Sequence, residues 1–404
     1  MKKISLYSII LLMLFAFSCN KTDDDPMATM LSNDHWFFDF NGTIDGGEVF
    51  EVVKSNSDNK IYVCGAFLHA NNNWDMKNLA RWITSTNEWE QVPGIDEYHT
   101  NFIRCGVEDS EGNLYFGGDF SEIGGMVAGR VGKFNVGTET WENLRDIDFY
   151  DEEQQRGPVS GGVYDIEIVG DYVYIGGGIF NSDSSALKYI RRFNTVTKKW
   201  EAVGSGVNNR VRSLTSDSQG NLYVGGEFTE AGGVPANYIA KWDGENWSAL
   251  ANGCDNYVLT LEYANGSLYA GGSFKFVNGD VRSQGVAKWT GTSWEAMSSG
   301  VYASWGDTYS VQDIAVDSEG LVYIGGFFDK KYSDDQPLNH VGVFVEGEWQ
   351  QLGDGLANSS SQGVMGMYAD GKDVYFAGYF GVTDEDVNIN TRFNIAIWND
   401  SKSY

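Results

Sequence analysis

Apolar and polar residues alternate in short runs along most of the chain, and glycine, asparagine and aspartate cut the runs at close intervals. Val211-Arg212-Ser213-Leu214-Thr215-Ser216 alternates with a period of two, the pattern of a strand with one face buried. Ser218-Gln219-Gly220-Asn221 then turns, and Leu222 to Phe228 forms a second strand containing Gly225-Gly226. A loop from Thr229 to Asn237 leads to a third strand, Tyr238 to Trp242, and Asp243-Gly244-Glu245-Asn246 turns into a fourth, Trp247 to Leu250. Four short strands joined by Gly/Asn/Asp turns predict an antiparallel meander. No long stretch carries a 3.6-residue apolar period, so the fold is predicted to be all-β.

The unit recurs. Tyr62, Tyr115, Tyr174, Tyr223, Tyr269, Tyr323 and Tyr375 mark seven versions of Tyr-x-Gly-Gly-x-Phe at intervals of 46 to 59 residues. One four-stranded sheet cannot bury both faces, whereas seven stacked around an axis can. The prediction is a seven-bladed β-propeller of four-stranded antiparallel blades over residues 35–404. Small residues such as Gly225 and Gly226 belong where adjacent blades approach closest. Trp242, Trp247, Trp289 and Trp294 suit the wider gap farther out. The seventh repeat reaches Tyr404 without a fourth-strand tryptophan, yet His35 to Thr43 aligns with Asn246 to Cys254. A strand at about 36–40 is therefore predicted to complete the last blade by pairing with Asn394–Trp398, leaving no open edge.

Tyr-x-Gly-Gly followed by an aromatic third strand and a final tryptophan is similar to the Kelch repeat. Arg192-Phe193-Asn194-Thr195-Val196-Thr197-Lys198-Lys199-Trp200-Glu201-Ala202-Val203 resembles the Kelch third-to-fourth-strand hairpin, and Lys133 to Leu144 and Arg81 to Val92 follow the same plan. The resemblance covers about Trp36 to Trp398. It implies a propeller and leaves the activity open, because Kelch-like propellers serve both as interaction platforms and as enzyme domains.

The first 18 residues hold Lys2, Lys3 and an apolar run from Ile9 to Phe17, too short to span a bilayer as a mature helix and therefore an export signal. Phe15-Ala16-Phe17-Ser18-Cys19 resembles a bacterial lipobox, which implies lipidation of Cys19. Lys21, Thr22, Asp23, Asp24 and Asp25 follow, inside a polar tether spanning 19–34 that looks like the export signal of surface lipoproteins in Bacteroidetes. The expected address is the outer membrane, exposed at the cell surface and attached through the lipid alone.

Composition narrows the partners. The net charge of −28 becomes −30 without Lys2 and Lys3, and a surface that acidic argues against nucleic acid. Beyond Cys19 there are Cys64, Cys105 and Cys254, an odd number that excludes a disulfide framework. Cys64 and Cys105 fall on neighbouring strands, which permits a bridge, although small buried thiols are the default. Asp109-Ser110-Glu111-Gly112, Asp217-Ser218-Gln219-Gly220 and Asp317-Ser318-Glu319-Gly320 lack the alternating carboxylates of a Ca²⁺ loop and are expected to be hairpin turns.

Candidate chemistry lies where the repeat is interrupted. Enlarged connections at 145–162 and 300–310, with 94–100 beside the first, share one face of a propeller and converge on its channel. They nominate Tyr98, His99, Tyr150, Arg156, Tyr302, Trp305 and Tyr309 for ligand binding, with aromatic stacking and acidic neighbours suited to a glycan. No nucleophile elbow, phosphate loop or metal-spaced histidine set appears among the four histidines His35, His69, His99 and His340, so neither cofactor nor metal is expected. The tyrosine and histidine ligands of Kelch-like copper oxidases are not recognisable. Some bacterial polysaccharide lyases are seven-bladed propellers, and Tyr98, His99, Arg156, Tyr302 and Tyr309 are the residues that likeness would employ in proton transfer and carboxylate holding. The favoured expectation is a surface-anchored, non-catalytic module for a glycan or a surface or secreted protein; the alternative is a polysaccharide-degrading enzyme.

Overall fold

A computed structural model of the 404-residue chain describes residues 35–38, 40, 43–95, 102–144, 161–179, 189–306, 309–356, 363–384 and 389–399. The signal segment, Cys19 and the acidic tether lie outside the described residues.

Seven four-stranded antiparallel sheets follow one another along the chain. Blade 1 runs from Glu48–Lys54 through Lys60–Ala66 and Leu79–Ile83 to Glu88–Gln91, and blades 2 to 6 repeat that order. The first strand of each blade packs on the first strand of the next, and Gly363–Asp370 of blade 7 returns to Glu48–Lys54 of blade 1. The first strands thus surround the axis, and the ring is closed.

Blade 7 takes its fourth strand from the other end of the chain. Trp36–Phe37 pairs antiparallel with Ile389–Asn399, Trp36 opposite Trp398 and Phe37 opposite Ile397. The predicted partner strand is correct, and the observed strand is shorter than 36–40. Trp36 also shows why the closure holds. In every blade the fourth-strand tryptophan donates its Nε1–H to a backbone carbonyl just past the fourth strand of the preceding blade. Trp89 reaches Phe40 O at 2.8 Å, Trp141 reaches Pro93 O at 2.6 Å and Trp200 reaches Leu144 O at 2.7 Å. Trp247 and Trp294 reach Val203 O and Leu250 O at 3.0 Å, and Trp349 reaches Met297 O at 2.9 Å. Trp36 completes the set on Leu352 O at 3.2 Å. The indole fills the wide outer part of the wedge, and its one polar atom is satisfied by the neighbouring blade.

The paired glycines divide their work, which corrects the expectation that both meet the next blade. A Cβ on the first glycine would collide with a valine of the following blade: 2.7 Å from Val258 Cγ1 at Gly225, 2.4 Å from Val211 Cγ1 at Gly176. A Cβ on the second glycine would instead strike the backbone of its own blade's first strand, 2.2 Å from Arg210 O at Gly226 and 2.1 Å from Tyr257 O at Gly272. At this second glycine the first strand carries a β-bulge in all seven blades, as between Val211 and Ser213 or Val311 and Asp313. The missing side chain lets the extra residue crowd in.

The Asp-Ser-x-Gly segments are hairpin turns. Asp217 Oδ1 accepts from the backbone N–H of Gln219 and Asn221, each at 3.0 Å, and Gly220 takes φ +82°. The repeat tyrosine anchors to the same side chain, Tyr223 Oη donating to Asp217 at 3.1 Å and Tyr323 Oη to Asp317 at 3.2 Å. Cys64, Cys105 and Cys254 are free and buried, and burial raises each thiol pKa.

Candidate functional site

In a meander blade the connections between strands 2 and 3 and those between blades open on one face, while the 1–2 and 3–4 turns open on the other. The two faces differ in what they expose. Eight large hydrophobic side chains are exposed among the described residues. Leu68, Trp74, Phe102, Val234, Tyr257, Trp305 and Tyr332 stand on the first face, hereafter the loop face; Val196, in a 3–4 turn, is the eighth.

The densest group sits on blades 5 and 6. Val301–Tyr302 pairs with Lys330–Lys331, which draws the enlarged blade-to-blade connection against the 2–3 loop of blade 6. Tyr302 and Tyr332 meet edge to face at 6.0 Å, and the Arg282 guanidinium lies 5.3 Å over the Tyr332 ring and donates to Tyr332 Oη at 3.1 Å. Tyr302 donates to Asp335 Oδ1 at 2.7 Å, and that bond pushes the phenol up to about 12. Trp305, 37% exposed, stacks on the His340 ring at 5.7 Å. His340 is buried, which lowers its pKa, and its Nδ1 lies 3.0 Å from Gly326 O. The tryptophan thus rests on a neutral, fixed support and turns its outer side to solvent.

The nominated residues fare unequally. Tyr302 and Trp305 stand on the loop face as expected. Tyr309 is corrected: it is 5% exposed, and its hydroxyl donates to Phe274 O at 3.0 Å, so it packs between blades. Tyr98, His99, Tyr150 and Arg156 lie outside the described residues.

At the centre of the ring is a channel of about 470 Å³. Its upper wall is made by the bulge residues, one per blade. Phe50, Arg104, Tyr164 and Arg212 form one arc, and Leu259, Gln312 and Met365 the other. Because each bulge falls near the start of its strand, this ring lies at the loop-face end. Arg104 pairs with Asp119 at 2.6 Å and Arg212 with Glu227 at 2.5 Å, both acids being at or just after the second strand of the same blade. The two guanidinium groups lie 5.3 and 4.9 Å over the Tyr164 ring. None of these four was foreseen, because strict alternation misplaces every residue beyond an unrecognised bulge.

Below the arginines the wall turns acidic. Glu51, Asp165 and Asp313 stand half-buried in the channel wall, and desolvation raises their pKa values, to about 7 for Asp165 and about 6 for Asp313. They have structural partners on the following blade: Gly106 N–H for Glu51, Leu214 N–H at 2.6 Å for Asp165 and Met367 N–H at 2.6 Å for Asp313. Glu167 and Glu262, deeper on blades 3 and 5, are raised by burial to about 7 and about 8. Glu167 accepts from Ser216 Oγ at 2.5 Å. No group of three metal-ligating side chains converges among the described residues.

Ring closure, seven bulged blades and a central channel define the class as a seven-bladed β-propeller. A family model described as the Rax2 C-terminal β-propeller domain matches residues 99–261. Comparison with curated proteins returns no significant match. The chain is similar in structure to the extracellular domain of the one-component system BT4673 from B. thetaiotaomicron, at 12% identity and TM-score 0.53, over 88% of this chain and 39% of that one. It is similar also to YCF48 bound to D1 peptide, at 11% identity and TM-score 0.52, over 96% and 99% of the two chains. A chain of the mitotic checkpoint complex aligns at 14% identity and TM-score 0.50, over 91% and 96%. At these identities the likeness is one of fold.

Proposed function

We propose that the protein is a non-catalytic binding module that engages a glycan, or failing that a protein partner, on its loop face. One observation carries the reading: among the described residues, seven of the eight exposed large hydrophobic side chains stand on that face. Exposed Trp305 and Tyr332, with Tyr302, Arg282 and Asp335 beside them, combine a stacking surface with both signs of charge, the combination that binds sugar rings. The extracellular setting of the BT4673 domain and the peptide carried by YCF48 are compatible with such a role. The Kelch likeness and the Cys19 lipid anchor belong to the same proposal, which puts the module at the cell surface. The lyase alternative loses Tyr309, whose hydroxyl is committed to Phe274.

The test is affinity electrophoresis against acidic and neutral polysaccharides, with absorbance followed for unsaturated uronates. Retardation by a glycan that disappears in Trp305→Ala/Tyr332→Ala at unchanged melting temperature is the expected result. New absorbance overturns the non-catalytic reading. Retardation unaffected by the double substitution overturns the assigned surface, and no retardation by any glycan leaves the protein-partner arm, tested by the same variant.

A further inference from the structure

The collar at the loop-face end of the channel is asymmetric. Arg104, Tyr164 and Arg212 stand on consecutive blades and make one arc basic, whereas Leu259 and Met365 leave the opposite arc largely apolar. All of these side chains line the channel and are half-buried, so each keeps surface that a ligand could cover.

The basic arc is held in a fixed stack. The Arg104 guanidinium lies 5.1 Å over the Phe50 ring, and Arg104 and Arg212 both lie over the Tyr164 ring. Two glycines make room for it. A Cβ on Gly162 would come within 2.3 Å of Asp119 Oδ1 and 3.0 Å of Tyr164 Cε1, and one on Gly178 within 3.0 Å of Tyr164 Oη. Asp119 and Glu227 orient the arginines without exhausting them. Among the described residues Arg104 donates only its Nε–H, to Asp119 Oδ2 at 2.6 Å, and Arg212 donates Nε–H and Nη2–H to Glu227 Oε1 at 2.8 and 2.5 Å. A guanidinium carries a rigid fork of N–H donors, so both retain donors at their edges while aromatic rings cover their faces. Glu227 also faces Arg210 at 3.6 Å. Three guanidinium groups thus share two carboxylates, and one positive charge is left over at the mouth of a channel in a chain of net charge −28.

We propose that the channel mouth binds a small organic monocarboxylate, its carboxylate on the free N–H edge of Arg104 with Arg212 beside it, and its uncharged body lying toward Leu259 and Met365. A planar carboxylate matches the guanidinium fork, and the surplus charge admits one anion. Glu51 and Asp165, next below on the same wall, repel an anion from the deeper channel, which keeps the carboxylate at the collar and turns the body to the apolar arc. Nothing in this site depends on what Trp305 and Tyr332 bind.

Isothermal titration calorimetry on the purified protein tests it, with phenylacetate, hexanoate, phenylacetamide and glucuronate as probes. Saturable 1:1 binding of phenylacetate or hexanoate is expected, with phenylacetamide, which keeps the body and loses the charge, weaker by at least about tenfold. Arg104→Gln should weaken carboxylate binding by a similar factor, and Arg212→Gln supplies the test if the first variant does not fold. Trp305→Ala/Tyr332→Ala should leave it unchanged, which separates this site from the glycan surface. No saturable binding of either acid, phenylacetamide binding as tight as phenylacetate, or unchanged affinity in both arginine variants would overturn the proposal. Glucuronate binding tighter than both apolar acids would overturn the assignment of the ligand body to the apolar arc.

Discussion

Replacing Glu262 by glutamine should make the ligand-free protein more stable, by a margin that grows as pH rises from 5 to 8. Glu262 faces Asp313, Glu167 and Asp165 across the channel, with Arg104 and Arg212 farther up the wall. Burial first, and those three acids after it, raise its pKa from 4.5 to about 8. A carboxyl raised on folding favours the folded state in its neutral form. That contribution is complete below the unfolded pKa near 4.5, is lost progressively as pH rises from there, and is gone once pH passes 8. At about 1.36 kcal/mol per pKa unit, ionising Glu262 in place costs on the order of 3–5 kcal/mol by pH 8.5. Channel water and rearrangement of neighbouring charges reduce this, so a gain of at least about 1 kcal/mol is expected for Glu262→Gln at pH 8.5. At pH 5 the wild-type carboxyl is protonated and the two proteins should agree within about 0.5 kcal/mol. Urea denaturation of both proteins at pH 5, 7 and 8.5 measures the difference directly. A variant destabilised by the same amount at every pH would show that Glu262 is held by a donor and would refute the reasoning.

Truncation of residues 1–41 removes Trp36–Phe37, the Trp36 bond to Leu352 O and the Phe40 carbonyl that receives Trp89. A loss of about 3–5 kcal/mol, the scale of a buried tryptophan, should appear as a lower melting temperature; an unchanged thermal transition would show that the ring closes without this strand. Gly226→Ala places a methyl 2.2 Å from Arg210 O and is expected to cost about 1–3 kcal/mol, whereas Gly170→Ala, where nothing lies within 4 Å, carries only the penalty of its φ of +58°. Equal losses for the two in chemical denaturation would remove the bulge argument.

Architecture was legible because it is repeated. Seven tyrosines at similar spacing gave seven independent readings of one unit, and the tryptophan missing from the seventh repeat pointed to Trp36. The site was less legible because its residues break the local rule that made the fold readable. Arg212 is the extra residue between Val211, opposite Gly226, and Ser213, opposite Gly225, so counting by twos from Val211 assigns every later residue of that strand to the wrong face. The second glycine could have signalled this: only a backbone crowded by an extra residue needs glycine where the next blade makes no contact. Tyr332 was missed for another reason. Its loop is ordinary in sequence, and it gains meaning only where it meets Tyr302 from the previous connection. Tyr309 was misassigned because an enlarged loop ends in strand, and Ser310–Val316 begins one residue later.

The direction of the closing strand bears on how an anchored propeller would be presented. In blades 1 to 6 the fourth strand runs from the 3–4 turn toward the loop face, and antiparallel pairing with Ile389–Asn399 gives Trp36–Phe37 the same direction. The chain therefore enters the ring at residue 35 from the face opposite the exposed aromatic residues. Sixteen residues separate this point from Cys19, a reach of at most about 58 Å at 3.3–3.6 Å per residue. If Cys19 carries a lipid, the tether holds the turn face toward the membrane and leaves the loop face toward the medium. Tyr257 and Val196 are exposed on the two opposite faces, and the three cysteines of the ring are buried, so single cysteines at these positions report each face cleanly. Whole cells displaying Tyr257→Cys should react faster with a membrane-impermeant maleimide than cells displaying Val196→Cys, while the detergent-solubilised proteins react at similar rates. Faster labelling of Val196→Cys on cells would reverse the orientation, and equal labelling in both settings would show that the tether does not orient the ring.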